Sequence, residues 1–508
     1  MDFPAAPTSS SNVALRRAAA AAAILAFAVY AAVLVTHVEA LAGGSDSSGY
    51  MNHARLLASG SLHVQPRTIP GLPRIRDVPM LYVPLGFRPA WNGDGIVPTY
   101  PVGFSLFIVA LKPLAGWRHA GDLAIILHSL GGLAATYALG RLLGLGRLWS
   151  ALSVAILALS PLYIFMSLQA MSDVPSLLWT TLAVLAAIKS RETPSWAVAA
   201  GAAVAVDVLL RPTNLLVLAP LAVALGPSPR RWLLLGLGGL PGAVFFFAHS
   251  LAAYGRFGAT GYGDTSLYFS SGLVPGTLLH YARWLPVLFT PAVALDLALP
   301  WVPAESPRTR WLLGTWIVAF AGFYATYACT HETWWYLRYL LPAAPALLVG
   351  ALLVLRAALS RAPAWADPGR SPIAFALGLG LVAASLAGPN NSLHPFSVGR
   401  EEARYRTLTG WMQGNLPKDA VCFAMQTSGA IFHDTGFTLV RWDMMREEDV
   451  GPVDSAARAA GRPLYAVLFP FEVDRFGALW KGRPGHWIEI GKVEDVTVLR
   501  RDPDAAKP

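Results

Sequence analysis

The sequence predicts a polytopic α-helical membrane protein of about eleven transmembrane helices, followed by a small soluble C-terminal α/β domain. Of its 508 residues, 55% are hydrophobic and 14% are charged, whereas ordinary soluble domains carry about 25% charged residues. The hydrophobic residues stand in long blocks, which is typical of membrane-spanning helices. The net charge of +9 comes from short Lys and Arg groups between these blocks. Such groups indicate membrane orientation, and we expect no nucleic-acid partner.

The first hydrophobic block, residues 14–38, has Arg16 and Arg17 near its start and is long enough to cross a bilayer. A cleaved signal peptide is the alternative, because residues 40–42 resemble a cleavage site. The block exceeds the usual signal-peptide core of about 7 to 15 residues. We therefore expect an uncleaved span with the N-terminus in the cytoplasm.

Residues 41–120 form a mixed first outer loop that is rich in Pro, Gly and aromatic residues. Its last segment, 100–116, is apolar enough to be a short span. If it crossed the membrane, Arg141 and Arg147 would lie outside and every later loop would invert. We therefore expect interfacial helices in this loop. Ten further spans follow, at residues 121–143, 148–168, 173–189, 195–210, 213–227, 231–254, 280–301, 311–329, 338–356 and 373–389.

We assign residues 1–390 to the transmembrane domain and residues 391–508 to a soluble α/β domain, which an odd number of spans places outside the cytoplasm. Four segments of that domain have strand character, and residues 453–460 are typical of a helix. Cys329 and Cys422 both fall outside the cytoplasm in this topology, so a disulfide between them is an open alternative.

Most of the notable polar residues near the span ends fall on the outer side of the membrane. Carboxylates and arginines at that boundary are costly unless they face a cavity or each other, so together they indicate a site. Each also has a structural alternative: Asp173 as a helix cap, Arg338 as a snorkelling side chain, and His331 with Glu332 as a solvated loop. The candidate residues are Asp46, Tyr50, His53, Asp173, Arg211, His331, Glu332 and Arg338.

Five segments, in order, resemble motifs of the C-type fold glycosyltransferases that use polyprenyl-phosphate sugars. That superfamily includes protein O-mannosyltransferases and aminoarabinose transferases acting on lipid A. The resemblance covers about residues 1–360. The segments are GGSDSSGYMNHARLLASGSL, YPVGFSLFIVAL, SDVPSLLWTTLAVL, LLRPTNLLVLAP and RYLLPAAPALL. Two positions depart from the family: Val102 replaces the second proline of a Tyr-Pro-Pro-Gly segment, and Ser47 replaces the Glu that follows the Asp in many relatives.

The resemblance implies that Asp46 is the catalytic carboxylate of a transferase acting at the extracytoplasmic face. A lipid phosphate is a good leaving group, so one base that removes the acceptor's proton can suffice, and direct attack would invert the anomeric centre. The resemblance also implies that Asp173 orients the acceptor or helps to hold Mg²⁺ or Mn²⁺, while Arg211 and Arg338 grip the lipid phosphate. Tyr50, His53, His331 and Glu332 complete the expected substrate-binding set.

The expected partners are a polyprenyl-phosphate sugar, an acceptor lipid, glycan or protein, and the bilayer. The expected location is a bacterial inner membrane. A transporter or lipid flippase is the alternative, which predicts ionisable groups along a path through the bilayer and broken helices at its middle. A non-catalytic scaffold or polymer-assembly subunit is a third reading. No certain cofactor follows from the sequence, and the divalent cation is left open.

Overall fold

The computed structural model describes residues 10–72, 80–302 and 306–502, with side chains from residue 21 onward. Its membrane part contains thirteen α-helices over the described residues. They are α1 Ser10–His37, α2 Asp46–Ala58, α3 Val102–Leu142, α4 Arg147–Leu159, α5 Pro161–Ser167, α6 Asp173–Lys189, α7 Trp196–Leu210, α8 Leu218–Leu225, α9 Pro229–Tyr254, α10 Val274–Phe289, α11 Pro307–Ala325, α12 Ala344–Ala358 and α13 Pro372–Leu393. The longer 3-10 helices are Pro212–Val217, Pro291–Trp301, Ala328–His331 and Trp334–Ala343.

Several described helices are long and apolar enough to cross a membrane. By length and composition there are four, or up to six if each sharply bent pair counts as one span. Three shorter apolar segments, Ala21–His37, Trp196–Leu210 and Pro212–Leu225, accompany them. The protein is therefore helical with several apolar spans, and the count of about eleven crossings stays a prediction.

Two segments expected to be continuous spans are broken in the structure. The segment 148–168 bends by 64° between α4 and α5, and the segment 280–301 bends by 113° after α10. Each break precedes a proline, Pro161 or Pro291, which has no backbone N–H to continue the helix and restricts the preceding residue. One span was predicted at each of these segments; the structure shows a bent pair of helices in each, and whether each pair crosses the membrane once stays a prediction.

The end of the first outer loop is helical and buried. Helix α3 begins at Val102 and is kinked at Gly116, which has φ 65° and ψ 172°. Phe104 and Ile108, in the part before the kink, are fully buried. Upstream, strands β1 Phe87–Pro89 and β2 Ile96–Pro98 form an antiparallel hairpin. The placement of the segment 100–116 at the membrane interface stays a prediction.

The chain after α13 forms a mixed five-stranded sheet with order β4-β3-β5-β7-β6. Strands β3, β4 and β5 are parallel, and β7 pairs antiparallel with β5 and β6. The strands are β3 Val421–Phe423, β4 Thr438–Val440, β5 Leu464–Leu468, β6 His486–Val493 and β7 Val496–Asp502. The helices are α14 Val398–Asn415, α15 Ser428–Asp434, α16 Glu447–Ala459 and α17 Pro470–Leu479.

The C-terminal sheet shares a hydrophobic core with the first outer loop. Tyr82 and Val83 of that loop belong to the same buried cluster as Val421 and Phe423 of β3. A backbone hydrogen bond of 2.7 Å also joins the Arg441 N–H to the Leu81 carbonyl. The described part of residues 41–120 therefore packs against the C-terminal region, and the soluble, extracytoplasmic character of the C-terminal region stays a prediction. Cys329 and Cys422 are both free.

Candidate active site

Asp46 is the first residue of α2, immediately after the turn that ends the first hydrophobic block. Gly44 in this turn has φ 51°, a left-handed conformation that glycine adopts without steric penalty. A carboxylate in the first turn is favoured by the partial positive charge at a helix N-terminus. The Asp46 side chain is 26% exposed, so it is sheltered and still accessible.

Two side chains from other elements contact the Asp46 carboxylate. Arg338 Nη2 donates to Asp46 Oδ2 at 2.7 Å, and the Tyr100 hydroxyl donates to Asp46 Oδ1. Burial raises the pKa of Asp46, but the Arg338 charge and the Tyr100 hydrogen bond outweigh it and hold that pKa below its ordinary value. Asp46 is therefore a carboxylate at neutral pH.

Asp173 is the first residue of α6 and is fully buried. Arg211 Nη2 donates to Asp173 Oδ1 at 2.7 Å, and Arg338 Nε lies 4.0 Å from the same oxygen. Ser172 occupies the N-cap position without a side-chain capping bond. Because the Asp173 carboxylate is engaged by arginines, the helix-cap alternative does not account for it.

Arg338 joins the two carboxylates into one cluster. Its guanidinium contacts Asp46 through Nη2 and approaches Asp173 through Nε. Tyr339 lies beside both arginines, with its ring centroid 5.3 Å from Arg211 Cζ and 5.2 Å from Arg338 Cζ. Arg338 is therefore held inside the protein by charge and aromatic contacts, which the snorkelling alternative does not explain.

Tyr50 also belongs to this cluster. Its hydroxyl donates to Ser172 Oγ at 2.8 Å, and Arg211 Nη2 lies 3.4 Å from the same oxygen. The Tyr50 ring centroid is 5.4 Å from that of Tyr100. One connected set of side chains therefore runs from Asp46 through Tyr100 and Tyr50 to Asp173.

Three predicted substrate-binding residues lie away from these contacts. The His53 ring is buried and lies 5.6 Å from the ring of His249 in α9. Burial, together with the nearby His249, lowers the pKa of His53 to about 3, so its ring is neutral at physiological pH. His331 and Glu332 are exposed at and just after the 3-10 helix Ala328–His331. No hydrogen bond or ion pair joins these three to the two carboxylates or two arginines among the described side chains. Their substrate-binding roles stay predictions.

Three buried polar atoms of this cluster lack partners. Asp173 Oδ2, Arg211 Nη1 and Arg338 Nε are all buried and lack a hydrogen-bond partner within the described structure. Most buried polar groups in folded proteins are hydrogen-bonded, so such groups require an explanation. The unsatisfied N–H groups belong to two guanidinium groups that contact the same Tyr339 ring, and each could donate to a phosphate or another oxyanion.

The donor set does not fit a divalent cation in this state. Within the described ranges, no group of three or more His, Cys, Asp and Glu side chains is arranged to hold a metal. Asp46 and Asp173 each contact a guanidinium at 2.7 Å. A hard cation prefers several oxygen ligands and would be repelled by these neighbouring positive charges.

Sequence reasoning missed part of the network. Ser172 connects Tyr50 to Arg211 through hydrogen bonds. The Tyr339 ring packs against both Arg211 and Arg338. Both residues adjoin recognised positions, since Ser172 precedes Asp173 and Tyr339 follows Arg338. Tyr100 stood in a recognised motif, but nothing in the motif indicated its hydrogen bond to Asp46.

Comparisons with known proteins identify the fold. ArnT from Cupriavidus metallidurans, bound to undecaprenyl phosphate, superposes with a TM-score of 0.58 and 15% identity, covering 96% of this chain and 99% of that chain. Arabinofuranosyltransferase AftD from Mycobacteria superposes with a TM-score of 0.52 and 15% identity, covering 94% of this chain and 39% of AftD. No family model and no curated protein matches the sequence. The chain therefore shares the fold of ArnT and of AftD.

Proposed function

We propose that this protein is a membrane glycosyltransferase that moves a sugar from a polyprenyl-phosphate donor to an acceptor at the extracytoplasmic face. The observation that carries the proposal is the buried cluster of Asp46, Asp173, Arg211 and Arg338, with guanidinium N–H groups that lack partners. The shared fold with ArnT, whose structure holds undecaprenyl phosphate, supports a donor of that chemical class.

Arg211 and Arg338 bind the donor phosphate in this proposal. Each guanidinium has one buried N–H group without a partner and could donate it to a phosphate oxygen. The phosphate also competes with Asp46 for Arg338, and this competition weakens the ion pair between Arg338 and Asp46. Donor binding thereby increases the basicity of Asp46 at the moment when a base is needed.

Asp46 is the base of the transfer step. The acceptor hydroxyl oxygen attacks the anomeric carbon as its proton passes to Asp46, and the new glycosidic C–O bond forms. The bond between the anomeric carbon and the phosphate oxygen breaks, and its electron pair leaves with the lipid phosphate. Attack opposite the leaving group inverts the anomeric centre. Tyr100 and Tyr50 hold Asp46 and the Asp173 side of the site in position.

Substituting Asp46 by Asn tests the proposal. Removal of a general base lowers rates by about 10² to 10⁴, so Asp46→Asn should abolish complementation of a strain lacking this chain. Mass spectrometry of envelope glycans and lipid-linked sugars would show an unmodified acceptor with accumulated donor. Full modification by Asp46→Asn would contradict the proposal.

Binding of undecaprenyl phosphate to the purified protein provides a separate measurement. The double variant Arg211→Gln/Arg338→Gln should lose this binding, because both phosphate donors are removed. Asp46→Asn should retain it. Arg308→Gln, which removes an exposed arginine at the start of α11, is the matched control for loss of positive charge.

A further inference from the structure

A cavity of about 630 Å³ lies between the β1–β2 hairpin and the loop that follows α9. The hairpin contributes Arg88, and the turn beyond β1 contributes Trp91. The loop contributes Arg256, Phe257 and Asp264. The cavity is separate from the carboxylate and arginine cluster, since its lining includes none of those four residues.

The same loop connects the cavity to Asp46. Gly261 packs so tightly against the first outer loop that a Cβ atom there would lie 2.1 Å from the Thr99 carbonyl oxygen. Next along the chain, the Tyr262 ring makes an edge contact with the Tyr100 ring at a centroid distance of 5.8 Å. Tyr100 in turn donates to Asp46. Two successive aromatic rings, Tyr262 and Tyr100, therefore connect the loop that lines the cavity to the proposed base.

The cavity carries an excess of positive charge. Arg88 Nη1 donates to the Gly261 carbonyl at 3.1 Å, which fixes the guanidinium in the wall. Neither Arg88 nor Arg256 forms an ion pair with a carboxylate in the described part of the chain. Asp264 is the one carboxylate in the lining, and its Oδ1 accepts from the Ser266 N–H at 2.9 Å. Two guanidinium groups against one carboxylate favour an anionic ligand.

Two aromatic rings in the lining are available to a ligand. Trp91 is 63% exposed and Phe257 is 73% exposed. Phe257 stacks on Phe247 of α9 at 4.0 Å, and Trp91 packs directly against Gly255, which is left-handed with φ 68°. Each ring is packed on one face and exposes apolar surface, on which the C–H face of a sugar ring can pack.

We propose that this cavity binds the acceptor and that the acceptor is a sugar bearing a phosphate or carboxylate group. The proposal rests on the glycosyl transfer proposed above, because it identifies the acceptor of that reaction. The arginines recognise the anionic group, and the aromatic rings recognise the sugar face. The acceptor hydroxyl then extends past Tyr262 toward Asp46.

Binding of glucose 6-phosphate and of glucose to the purified protein in phosphatidylcholine nanodiscs tests the proposal. Saturation-transfer NMR should show the phosphorylated sugar binding more tightly than glucose. Loss of one charge-assisted hydrogen bond should weaken this binding about tenfold in Arg256→Gln. Arg256→Lys should retain most of the binding, and Trp91→Ala should weaken both sugars. Equal binding of the two sugars, or wild-type binding by Arg256→Gln, would overturn the proposal.

Three controls separate the alternatives. Arg475→Gln removes an exposed arginine from α17 and should bind the sugar phosphate as the wild type does. Displacement of glucose 6-phosphate by added phosphatidylglycerol would identify a lipid-headgroup site and overturn the acceptor assignment. Undecaprenyl phosphate binding, measured on the same samples, should be unchanged in Arg256→Gln. If the wild type bound the sugar phosphate but did not bind undecaprenyl phosphate, the result would contradict the proposed donor and would still support the anion-binding cavity.

Discussion

The polar residues of the site show how far single positions can be predicted from sequence. Asp46, Asp173 and Arg211 stand at helix ends and Arg338 lies within the 3-10 helix Trp334–Ala343, and the structure brings these four charged residues together. His53 occupies the same helix as Asp46, yet its ring contacts His249. The sequence shows that both residues share a helix. The His53 ring packs against α9, which is almost 200 residues away, whereas the Asp46 carboxylate contacts Arg338 and Tyr100.

Glu402 of α14 is an ionisable residue for which the structure predicts a pH effect. Its Oε2 atom is buried without a hydrogen-bond partner among the described residues. It lies so close to Gly43 that a Cβ atom there would be 2.1 Å from it. Burial raises the pKa of Glu402 to about 8. The folded protein therefore holds this proton more tightly than the unfolded chain does.

We predict that Glu402→Gln removes a loss of stability that occurs with rising pH. Because the pKa of Glu402 is raised in the folded state, the contribution of Glu402 to the free energy of unfolding is fully present below the unfolded-state pKa of about 4.5. This contribution is lost as the pH rises to about 8. The thermal unfolding midpoint of Glu402→Gln should match the wild type at pH 4.5 and exceed it by a few degrees at pH 8.5. Glu401→Gln, at the exposed neighbouring position, is the control. Parallel midpoint curves for Glu402→Gln and wild type would contradict the prediction.

At the scale of elements, the hydrophobic blocks of the sequence predict where helices lie, but they do not predict where a helix is broken. The predicted span at 173–189 coincides with α6, and the predicted span at 195–210 differs from α7 by one residue. The bends at Pro161 and Pro291 escaped prediction because the apolar pattern continues across them. Proline in an apolar helix permits either a kink or a break, and packing decides between these outcomes.

Helix α2 approaches its neighbours through glycines, which gives a prediction about Gly49. A Cβ atom at Gly49 would lie 2.3 Å from Tyr100 Cδ2 and 3.3 Å from the Cα atom of Gly86. Gly49→Ala should therefore displace the Tyr100 ring and its hydrogen bond to Asp46. We expect a loss of about 1 to 3 kcal/mol in stability, typical of overpacking, together with reduced transfer.

The matched control is Gly410→Ala in α14. Nothing lies within 4 Å of a Cβ atom at Gly410, so alanine should stabilise this helix by about 0.5 to 1 kcal/mol. Thermal unfolding and glycan modification would be measured for both variants. Wild-type activity in Gly49→Ala would show that close packing around Tyr100 is unnecessary for the site.

At the scale of the whole molecule, the proposed topology is testable with fusions at the C-terminus. An odd number of spans places the C-terminal sheet on the side opposite the N-terminus. A C-terminal alkaline phosphatase fusion should be active, and a green fluorescent protein fusion exported through the same membrane should be dark. Fusions after residue 146, in the loop between α3 and α4, should give the reverse result. Bright fluorescence at the C-terminus would place the sheet in the cytoplasm.

The C-terminal region also forms hydrogen bonds with α2 and with the first outer loop. Asn52 Nδ2 donates to the Gly429 carbonyl at 3.2 Å, and Arg55 donates to the His433 carbonyl. Ser428 Oγ accepts from the Leu85 N–H at 3.0 Å. Sequence patterns predicted the strands of this sheet, but no sequence pattern indicated that the sheet packs against the first outer loop.

The contacts between α2 and the C-terminal region join segments that are synthesised at very different times. A ribosome releases the segment around Asn52 long before it makes residues 428–433, which arrive after every apolar helix of the chain. Helix α2 lacks these backbone acceptors while translation continues. The hydrogen bonds that join Asn52 and Arg55 of α2 to residues 429 and 433 can therefore form only after the C-terminal part of the chain has been synthesised.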